Sequence, residues 1–402
     1  MASVPLVLLG VSLILFFGFF AEFIFKKFHV PDVLLLIILG FALGPSGFGI
    51  IEPSMVVTFA PIFTTFALVF LLYEGAFNID LASFARGLPA ALKVTLFNFF
   101  VSVAVIGGVL LLFGFSAQHA LLLGFILGGT SSAFVMPLLK QLGTRGQTYS
   151  ILALESAFTD VLCIVFAFTT VEVIRSNTVS IQGVLGSISA LFAVAGLIGI
   201  AAGILWILLV RHVFKEHKSY MITIAYLLLV YVATEFLGGN GAIASLFFGI
   251  VIKNAHSLKH LLEVVMLDGK APKRRDGFIV ASSMEEFFYG QISFLLKTFF
   301  FVYIGLLLDL TDWRIVVIAG AAAIAVMAAR HTSRFVTRRL EERDRSLVTA
   351  IFARGLAAAA IAQAIVYTDV PLQMELVPIA FAFIGGTILL SSVSVFWWKI
   401  RG

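Results

Sequence analysis

The chain has 402 residues, of which 61% are apolar, 13% aromatic and only 12% charged. A soluble globular chain averages about 45–50% apolar and about 25% charged residues, and one water-soluble core cannot hide 42 phenylalanines. The single cysteine excludes a secreted disulfide scaffold, and the apolar composition excludes a disordered chain. These features predict an all-α protein that crosses a membrane several times.

A membrane-spanning helix needs about 20 predominantly apolar residues. Thirteen segments of the sequence meet or approach that length, and the ninth is the shortest. In chain order, the predicted spans 1 to 13 are Val4–Phe25, Val33–Gly49, Met55–Leu72, Leu88–Phe113, Ala120–Leu139, Tyr149–Val171, Val184–Val210, Tyr220–Leu237, Gly239–Ile252, Phe287–Leu308, Trp313–Val336, Leu347–Tyr367 and Leu376–Trp398.

The basic residues predict the orientation of these spans. Cytoplasmic connections of membrane proteins are enriched in Lys and Arg. Only Arg175 and Arg314 lie in connections that follow even-numbered spans, and Lys93, Lys297 and Arg354 lie within spans. Arg314, at the start of span 11, and Arg330 and Arg334, near its end, are counted with the adjacent connections. The remaining 22 cations then follow odd-numbered spans, so we expect the N-terminus outside the cell membrane and the C-terminus in the cytoplasm. A basic cytoplasmic rim explains the net charge of +5 without nucleic acid.

The pattern predicts a single transmembrane domain over residues 1–402, surrounded by the lipid bilayer. The longest connection, residues 253–284, is charged and lies on the cytoplasmic side in this topology. We expect no soluble regulatory domain, and the sequence leaves open whether a separate regulatory subunit binds the basic stretch at 253–275. No phosphate-binding loop, paired-cysteine metal site or nucleophile with its base is found in the sequence. We therefore expect neither an enzyme nor a bound cofactor.

Two carboxylates lie deep within span 6, in the stretch Glu155-Ser156-Ala157-Phe158-Thr159-Asp160. An acidic residue at this depth costs roughly 2.5–3.5 kcal/mol on insertion scales and is usually functional. Glu155 aligns with Thr159, and Ser156 with Asp160, at a spacing of four residues on a helix. The two acids point in different directions, which predicts that Glu155 packs against a fixed cation while Asp160 faces a cavity. Arg330, Arg354 and Lys297 are the candidate partners.

Spans 5 and 12 carry small and hydroxyl residues at their centres. Span 5 contains Gly128-Gly129-Thr130-Ser131-Ser132, and span 12 contains Arg354-Gly355 before a run of alanines. The spans can be paired in order as two five-helix repeats of opposite orientation. The first repeat is spans 2–6, about residues 31–171, and the second is spans 9–13, about residues 239–399. Spans 5 and 12 are then counterparts. Interrupted helices at matching places in inverted repeats point to a transporter's binding site.

The motifs together resemble those of the monovalent cation:proton antiporter superfamily. They are the Glu-Ser-x-x-Thr-Asp motif of span 6, the hydroxyl cluster of span 5, and the stretches 40–47, 72–75 and 299–306. The resemblance implies a homodimer, a dimerisation domain, and a moving core domain in which helices 5 and 12 are unwound and cross. It also implies that Asp160 binds the proton and the cation.

The same resemblance implies roles for neighbouring residues. Accessory oxygens come from Thr130, Ser131, Ser156 and Thr159, and Glu155 also belongs to the candidate ion-binding set. In the electroneutral branch, a glutamate at this position pairs with an arginine on helix 11, for which Arg330 fits best. Lys297 and Arg354 are candidate modulators of the charge at the site.

Two departures from the family pattern affect the choice of ion. Thr159 stands where the sodium branch usually has Asn and the electrogenic branch Asp, and Ser131 is closer to potassium-efflux relatives. We expect electroneutral one-for-one exchange of Na⁺, or Li⁺, against H⁺, with Asp160 holding one or the other. Exchange of K⁺ for H⁺ is the alternative within transport, and an ion channel or ion-gated receptor is the alternative of another class.

Overall fold

The computed structural model describes residues 4–28, 31–51, 60–78, 81–144, 146–176, 181–212, 220–255, 283–308, 310–366 and 375–401. Within these ranges the regular elements are helices. The α-helices α1 to α15 are Val4–Phe28, Asp32–Leu43, Ala60–Gly75, Leu81–Leu112, Ala117–Leu127, Ser132–Gln141, Gly146–Ser176, Ile181–His212, Tyr220–Phe236, Gly241–Lys253, Ser283–Leu306, Trp313–Arg330, Glu342–Ala350, Leu356–Val366 and Leu376–Arg401. Short 3₁₀-helices follow α3 at Ala76–Asn78 and α12 at His331–Phe335.

Among the described residues, eight helical segments are long and apolar enough to cross a membrane, and five more are apolar but have only 10–17 residues. Large apolar side chains cover much of the outer surface. Phe16 is 75% exposed, Ile62 75% and Leu112 88%. Such exposure is unfavourable in water but costs nothing against lipid chains, so the composition and the surface agree on a polytopic membrane protein.

The chain forms two compact units, which are described separately. The first comprises Met1–Ala67, Gly87–Val184 and Leu295–Gly402. In it α12 lies along α15, α5 lies along α7, and α14 contacts α5, α7 and α15. The four consecutive alanines at the start of α14 are buried, and small side chains allow helices to approach closely in a membrane.

Two glycines allow α2 and α11 to pack at backbone contact in the first unit. Gly40 lies in the stretch 40–47 and Gly305 in the stretch 299–306. A Cβ atom on Gly40 would lie 2.0 Å from the carbonyl oxygen of Val302, and one on Gly305 would lie 2.2 Å from that of Ile37. Any side chain at either position would force the two backbones apart. The glycines therefore set the distance between these helices.

The second unit comprises Leu68–Arg86 and Leu185–Phe294. Its helices α9 and α10 pack together, and aromatic rings fill its centre. The ring of Tyr73 lies 5.4 Å from that of Tyr289 and 5.6 Å from that of Phe248, while Trp206 and Tyr226 stack at 4.6 Å. This unit is stabilised by apolar and aromatic packing.

The helix boundaries correct several predicted spans. Span 5 is divided into α5 and α6, with residues 128–131 between them, and span 12 is divided into α13 and α14, with residues 351–355 between them. The α12 helix ends at Arg330, before the predicted end of span 11 at Val336, because the chain continues as a 3₁₀-helix. The α13 helix begins at Glu342, before the predicted start of span 12.

Candidate cation site

The two non-helical segments meet in the first unit. The backbone N–H of Ser131 donates to the carbonyl oxygen of Ala353 at 2.9 Å. A Cβ atom on Gly355 would lie 2.0 Å from Oγ of Ser131, so only glycine fits there. Residues 128–131 and 351–355 therefore pass each other at backbone contact, which frees main-chain polar groups from helical pairing.

Local sequence explains where these helices stop and restart. Gly128 and Gly129 follow the last residue of α5, and glycine in a helix interior costs about 1 kcal/mol relative to alanine. Ser131 then caps α6, because its Oγ accepts a hydrogen bond from the backbone N–H of Phe134 at 3.3 Å. The interruption is thus built into the amino-acid sequence of span 5.

Asp160 lies on α7 beside this crossing and is buried, with 5% of its surface exposed. Its Oδ2 accepts a hydrogen bond of 2.8 Å from Oγ of Ser132, the first residue of α6. The described residues hold no ion-pair partner for this carboxylate. An anionic group buried at such a place needs a proton or a cation to balance its charge.

Hydroxyl groups attach the crossing segment to α7. The backbone N–H of Thr130 donates to Oγ1 of Thr159 at 3.0 Å, and the Thr159 hydroxyl in turn donates to the carbonyl oxygen of Ser156 at 3.2 Å. The Oγ1 atoms of Thr130 and Thr159 are 3.5 Å apart. The Ser156 hydroxyl donates to the carbonyl oxygen of Ala153, one turn earlier on its own helix. The hydroxyl oxygens of Thr130, Ser156 and Thr159 therefore lie close to the part of the α7 backbone that carries Asp160.

Glu155, about one and a half turns before Asp160 on the same helix, has a different environment. It forms a bidentate ion pair with Arg330: Nη1 bonds to Oε1, and Nη2 bonds to Oε2 at 2.9 Å. The side-chain amide of Asn98 also donates to Oε1, at 3.0 Å. Nε of Arg330 donates to the carbonyl oxygen of Val348 at 3.0 Å, so the pair joins α4, α7, α12 and α13.

Arg354 lies in the non-helical segment and is almost completely buried. Its Nη2 donates to Oγ of Ser102 at 2.8 Å, and its backbone N–H donates to Oγ1 of Thr387 at 3.1 Å. Its charge interacts electrostatically with those of Glu155 and Arg330. Two guanidinium groups and one carboxylate are therefore buried in the first unit, which also contains Asp160.

Lys297 does not contact this group of residues through any described hydrogen bond or ion pair. Its Nζ instead lies 2.6 Å from Oδ2 of Asp32, at the start of α2, in an ion pair that is largely buried. Asp32 precedes span 2 as predicted from hydropathy and was not identified as a candidate.

A family model described as "Sodium/hydrogen exchanger, transmembrane" matches residues 11–400 of this chain. The chain belongs to this exchanger family. The likeness covers nearly the whole sequence, and the resemblance drawn from the motifs is confirmed.

Curated relatives of this exchanger-family chain carry two kinds of name. It is 27% identical to the "K(+)/H(+) antiporter NhaP" of Alkalimonas amylolytica over 279 residues, which are 67% of this chain and 48% of that protein. It is 24% identical to the "Na(+)/H(+) antiporter 1" of Methanocaldococcus jannaschii over 322 residues, 75% of this chain and 68% of that protein. The chain thus spans about half the length of the first of these relatives.

A solved structure shows the same fold. The sodium proton antiporter MjNhaP1 from Methanocaldococcus jannaschii superimposes with a TM-score of 0.76 at 20% sequence identity. The match covers 98% of this chain and 97% of that one. The exchanger fold is therefore shared over essentially the full length.

The structure brings together most of the candidate residues of this family member. Thr130, Ser131, Thr159 and Asp160 lie at the crossing, and Ser156 is one turn away on α7. Four hydrogen-bonding partners of the candidate residues were not identified from the sequence. They are Ser132 for Asp160, Asn98 for Glu155, Ser102 for Arg354 and Asp32 for Lys297. Ser132 could have been found from its place in the hydroxyl cluster. The other three follow only from tertiary contacts.

Proposed function

We propose that this chain exchanges Na⁺ for H⁺ across the cell membrane, with Asp160 as the group that binds either one. The observation that carries the proposal is the geometry of Asp160. Its carboxylate is buried beside two interrupted helices, receives a hydroxyl donor from Ser132, and has no cationic partner among the described residues. Such a carboxylate needs a mobile positive charge.

Oxygen atoms around Asp160 suit an alkali cation, which prefers hard ligands. We propose that the hydroxyls of Thr130, Ser131, Ser132 and Thr159 supply accessory oxygens, together with main-chain carbonyls freed at the crossing. Ser156 is a further candidate, although its hydroxyl has no described contact with the crossing segments and donates to the carbonyl oxygen of Ala153. Glu155 belongs to the ion pair with Arg330, since both of its oxygens accept hydrogen bonds from fixed partners.

A proton and a cation compete for this carboxylate, and this competition couples their transport during alternating access. A proton and a cation cannot both neutralise Asp160 fully, so arrival of one releases the other. In either loaded state the site has the same net charge, and the loaded unit can move to expose Asp160 to the opposite side of the membrane. The empty, charged carboxylate opposes that movement, because an unpaired charge at this depth is costly.

The other buried charges support one-for-one, electroneutral exchange. Glu155 is paired with Arg330, and Lys297 is paired with Asp32 rather than with Asp160. Thr159, which precedes the aspartate, carries no charge. One carboxylate then carries one monovalent ion in each direction. Arg354 contributes a fixed positive charge near the site and is proposed to modulate its electrostatics.

Potassium is the second candidate ion. Ser131 resembles the residue of potassium-efflux relatives, and several matching relatives are named K(+)/H(+) antiporters. A channel or ion-gated receptor on the same scaffold is the candidate of another class. Saturable exchange coupled to proton movement excludes it, whereas single-channel currents would support it.

The proposal also includes the membrane topology and the oligomeric state of the chain. We propose thirteen membrane spans with the N-terminus outside, two inverted five-helix repeats, and a homodimer formed through a dimerisation domain. The five short apolar helices support the higher span count, because together with the eight long ones they account for the thirteen predicted segments. Residues 256–275 of the basic stretch at 253–275, which is proposed to be cytoplasmic, lie outside the described residues.

The decisive experiment uses purified protein in liposomes that contain a pH-sensitive dye. Na⁺, Li⁺ and K⁺ are added in turn to wild type, Asp160→Asn and the control Asp312→Asn. Asp312 caps α12 with its carboxylate, a role that asparagine also performs well. We expect cation-evoked proton movement in wild type and the control and none in Asp160→Asn, and the order of ions decides between Na⁺ and K⁺. Equal transport by Asp160→Asn would overturn the assignment.

A further inference from the structure

A cavity of about 420 Å³ opens at one end of the first unit, where α12, α13 and α15 meet. This volume falls within the roughly 300–1,000 Å³ that is typical of small-ligand sites. His331, Arg334, Arg343, Ser346 and Trp398 are among the residues that line it. We refer to it as the α12–α15 pocket. It is separate from the cation site and has no part in the proposed transport chemistry.

The cationic groups of the α12–α15 pocket are not fully neutralised by the residues that the structure describes. Arg334 bonds to Glu342 at 3.2 Å, and Glu342 also bonds to Arg345 at 3.1 Å, so this one carboxylate serves two arginines. Arg343 has no carboxylate partner among the described residues, and its guanidinium lies 5.3 Å from the centre of the Trp398 ring. The pocket therefore has an excess of positive charge and favours an anionic ligand.

Arg334, Ser346 and Arg343 provide donors that suit a phosphate group. Nη2 of Arg334 lies 3.2 Å from Oγ of Ser346, which places a guanidinium and a hydroxyl side by side on one wall. The indole N–H of Trp398 donates to the carbonyl oxygen of Arg343 at 3.0 Å and holds the second arginine against the ring. Arginine binds phosphate in a bidentate manner, and a stacked guanidinium loses little freedom when it does so.

The position of the pocket decides which phosphate compound fits it. The candidate membrane span of α15 extends to Ile400, so the pocket residues at 394–398 lie in its last two turns, where we expect the lipid headgroups. Large apolar side chains surround this end: Phe335 is 64% exposed, Phe396 53% and Trp397 54%. Tryptophan and arginine at a helix end, with apolar side chains on the outer surface, are typical of a lipid–protein boundary.

We propose that the α12–α15 pocket binds the headgroup of an anionic phospholipid, with Arg334 and Arg343 holding the phosphate and the acyl chains lying against Phe335, Phe396 and Trp397. A bound lipid would tie α12 to α13 and α15. It would act close to the cation site, because His331 follows Arg330 directly and Ala350, which also lines the pocket, precedes the crossing segment.

The test measures thermal unfolding of the purified full chain in detergent with added lipid. Phosphatidylglycerol is compared with phosphatidylcholine on wild type, Arg343→Gln, Arg334→Gln and the control Arg314→Gln. Arg314 is an exposed arginine on α12, paired with Glu375 and distant from the pocket in the helix. We expect phosphatidylglycerol to raise the unfolding temperature of wild type and the control by several degrees more than phosphatidylcholine, and this difference to shrink by at least half in both pocket variants.

A soluble anion is distinguished from a lipid in a parallel series with glycerol 3-phosphate and inorganic phosphate. Equal stabilisation by these water-soluble compounds would overturn the lipid assignment. Equal stabilisation by the two phospholipids, or an unchanged difference in both pocket variants, would overturn the site. Lipid retention in native mass spectrometry gives a second readout, since wild type should keep phosphatidylglycerol and Arg343→Gln should lose it. These measurements do not depend on transport activity, so they test the lipid site independently of the proposed exchange.

Discussion

Oγ of Ser132 lies 2.8 Å from Oδ2 of Asp160 and connects the first turn of α6 to the middle of α7. A hydrogen bond to a charged group contributes about 1.5–3 kcal/mol. We expect Ser132→Ala to raise the apparent KM for the cation roughly tenfold, because the carboxylate loses its donor and the cation loses an oxygen ligand. Initial rates of dye-reported exchange at several cation concentrations measure this effect.

Ser392→Ala is the matched control for that variant. Its hydroxyl is also buried but donates to the carbonyl oxygen of Ile388 on its own helix, away from Asp160. The KM of this control should stay within a factor of two of wild type. A Ser132→Ala variant that behaves like the control would remove Ser132 from the site.

Competition at Asp160 predicts a defined pH dependence. Because one carboxylate holds either the proton or the cation, acidification raises the apparent KM for the cation and leaves the maximal rate unchanged when the proton gradient is kept constant. In the acidic range, where the protonated form dominates, the KM should rise about tenfold for each pH unit, as mass action requires. A KM that is constant across pH, with a falling maximal rate, would contradict direct competition.

The ion pair between Glu155 and Arg330 should dominate local stability. Removing one partner of a buried pair leaves an unpaired charge and costs about 3–5 kcal/mol. We therefore expect Glu155→Gln to lower the thermal unfolding temperature by many degrees in detergent. Glu375→Gln breaks the exposed pair with Arg314, which is worth at most about 1 kcal/mol, and should have little effect. A similar decrease of the unfolding temperature in both variants would show that the buried pair contributes no more to stability than the exposed pair.

The contact between Gly355 and Ser131 predicts a paired substitution. Gly355→Ala places a methyl group 2.0 Å from Oγ and 2.5 Å from Cβ of Ser131, so it should greatly reduce the folded fraction. Adding Ser131→Gly removes both atoms, and the next nearest atom is at an ordinary 3.6 Å. Size-exclusion chromatography should show partial recovery in the double variant, while Gly108→Ala, where nothing lies within 4 Å, serves as the control.

The ion pair between Lys297 and Asp32 predicts that transport does not depend on membrane potential. With Lys297 neutralised by Asp32, a one-for-one exchange moves no net charge. Rates measured with and without a potential imposed by the permeant anion thiocyanate should agree within about 20%, in wild type and in Asp32→Asn/Lys297→Gln. A rate that changes several-fold with potential would refute electroneutral exchange and implicate Lys297 in proton release.

Much of the site could be predicted from sequence because the signals were local. Glycine pairs and hydroxyls in an apolar span indicated the break in span 5, and a carboxylate at that depth marked Asp160. Contacts between distant segments could not be predicted in this way. Ser132 belongs to the same cluster as Ser131, but which hydroxyl reaches Asp160 depends on how α6 leaves the crossing.

Asp32 shows a second limit of sequence reasoning. Hydropathy placed it just before span 2, where a carboxylate usually meets water, and its partner Lys297 is 265 positions away in the chain. Its burial results from the close contact of α2 and α11 at Gly40 and Gly305. Composition and spacing predict which residues are unusual in a membrane, whereas only the packing decides which of them meet.

The crossing also has an electrostatic consequence. Two helix ends, those of α5 and α13, and two helix starts, those of α6 and α14, border the crossing. Each end carries a partial charge of about half an electron, negative at the carboxyl end and positive at the amino end. Asp160 accepts a hydrogen bond from the first residue of α6, so it lies where the backbone dipole favours its negative charge. The chain thus offers, within the hydrocarbon layer, a small region whose polarity comes largely from its own main chain.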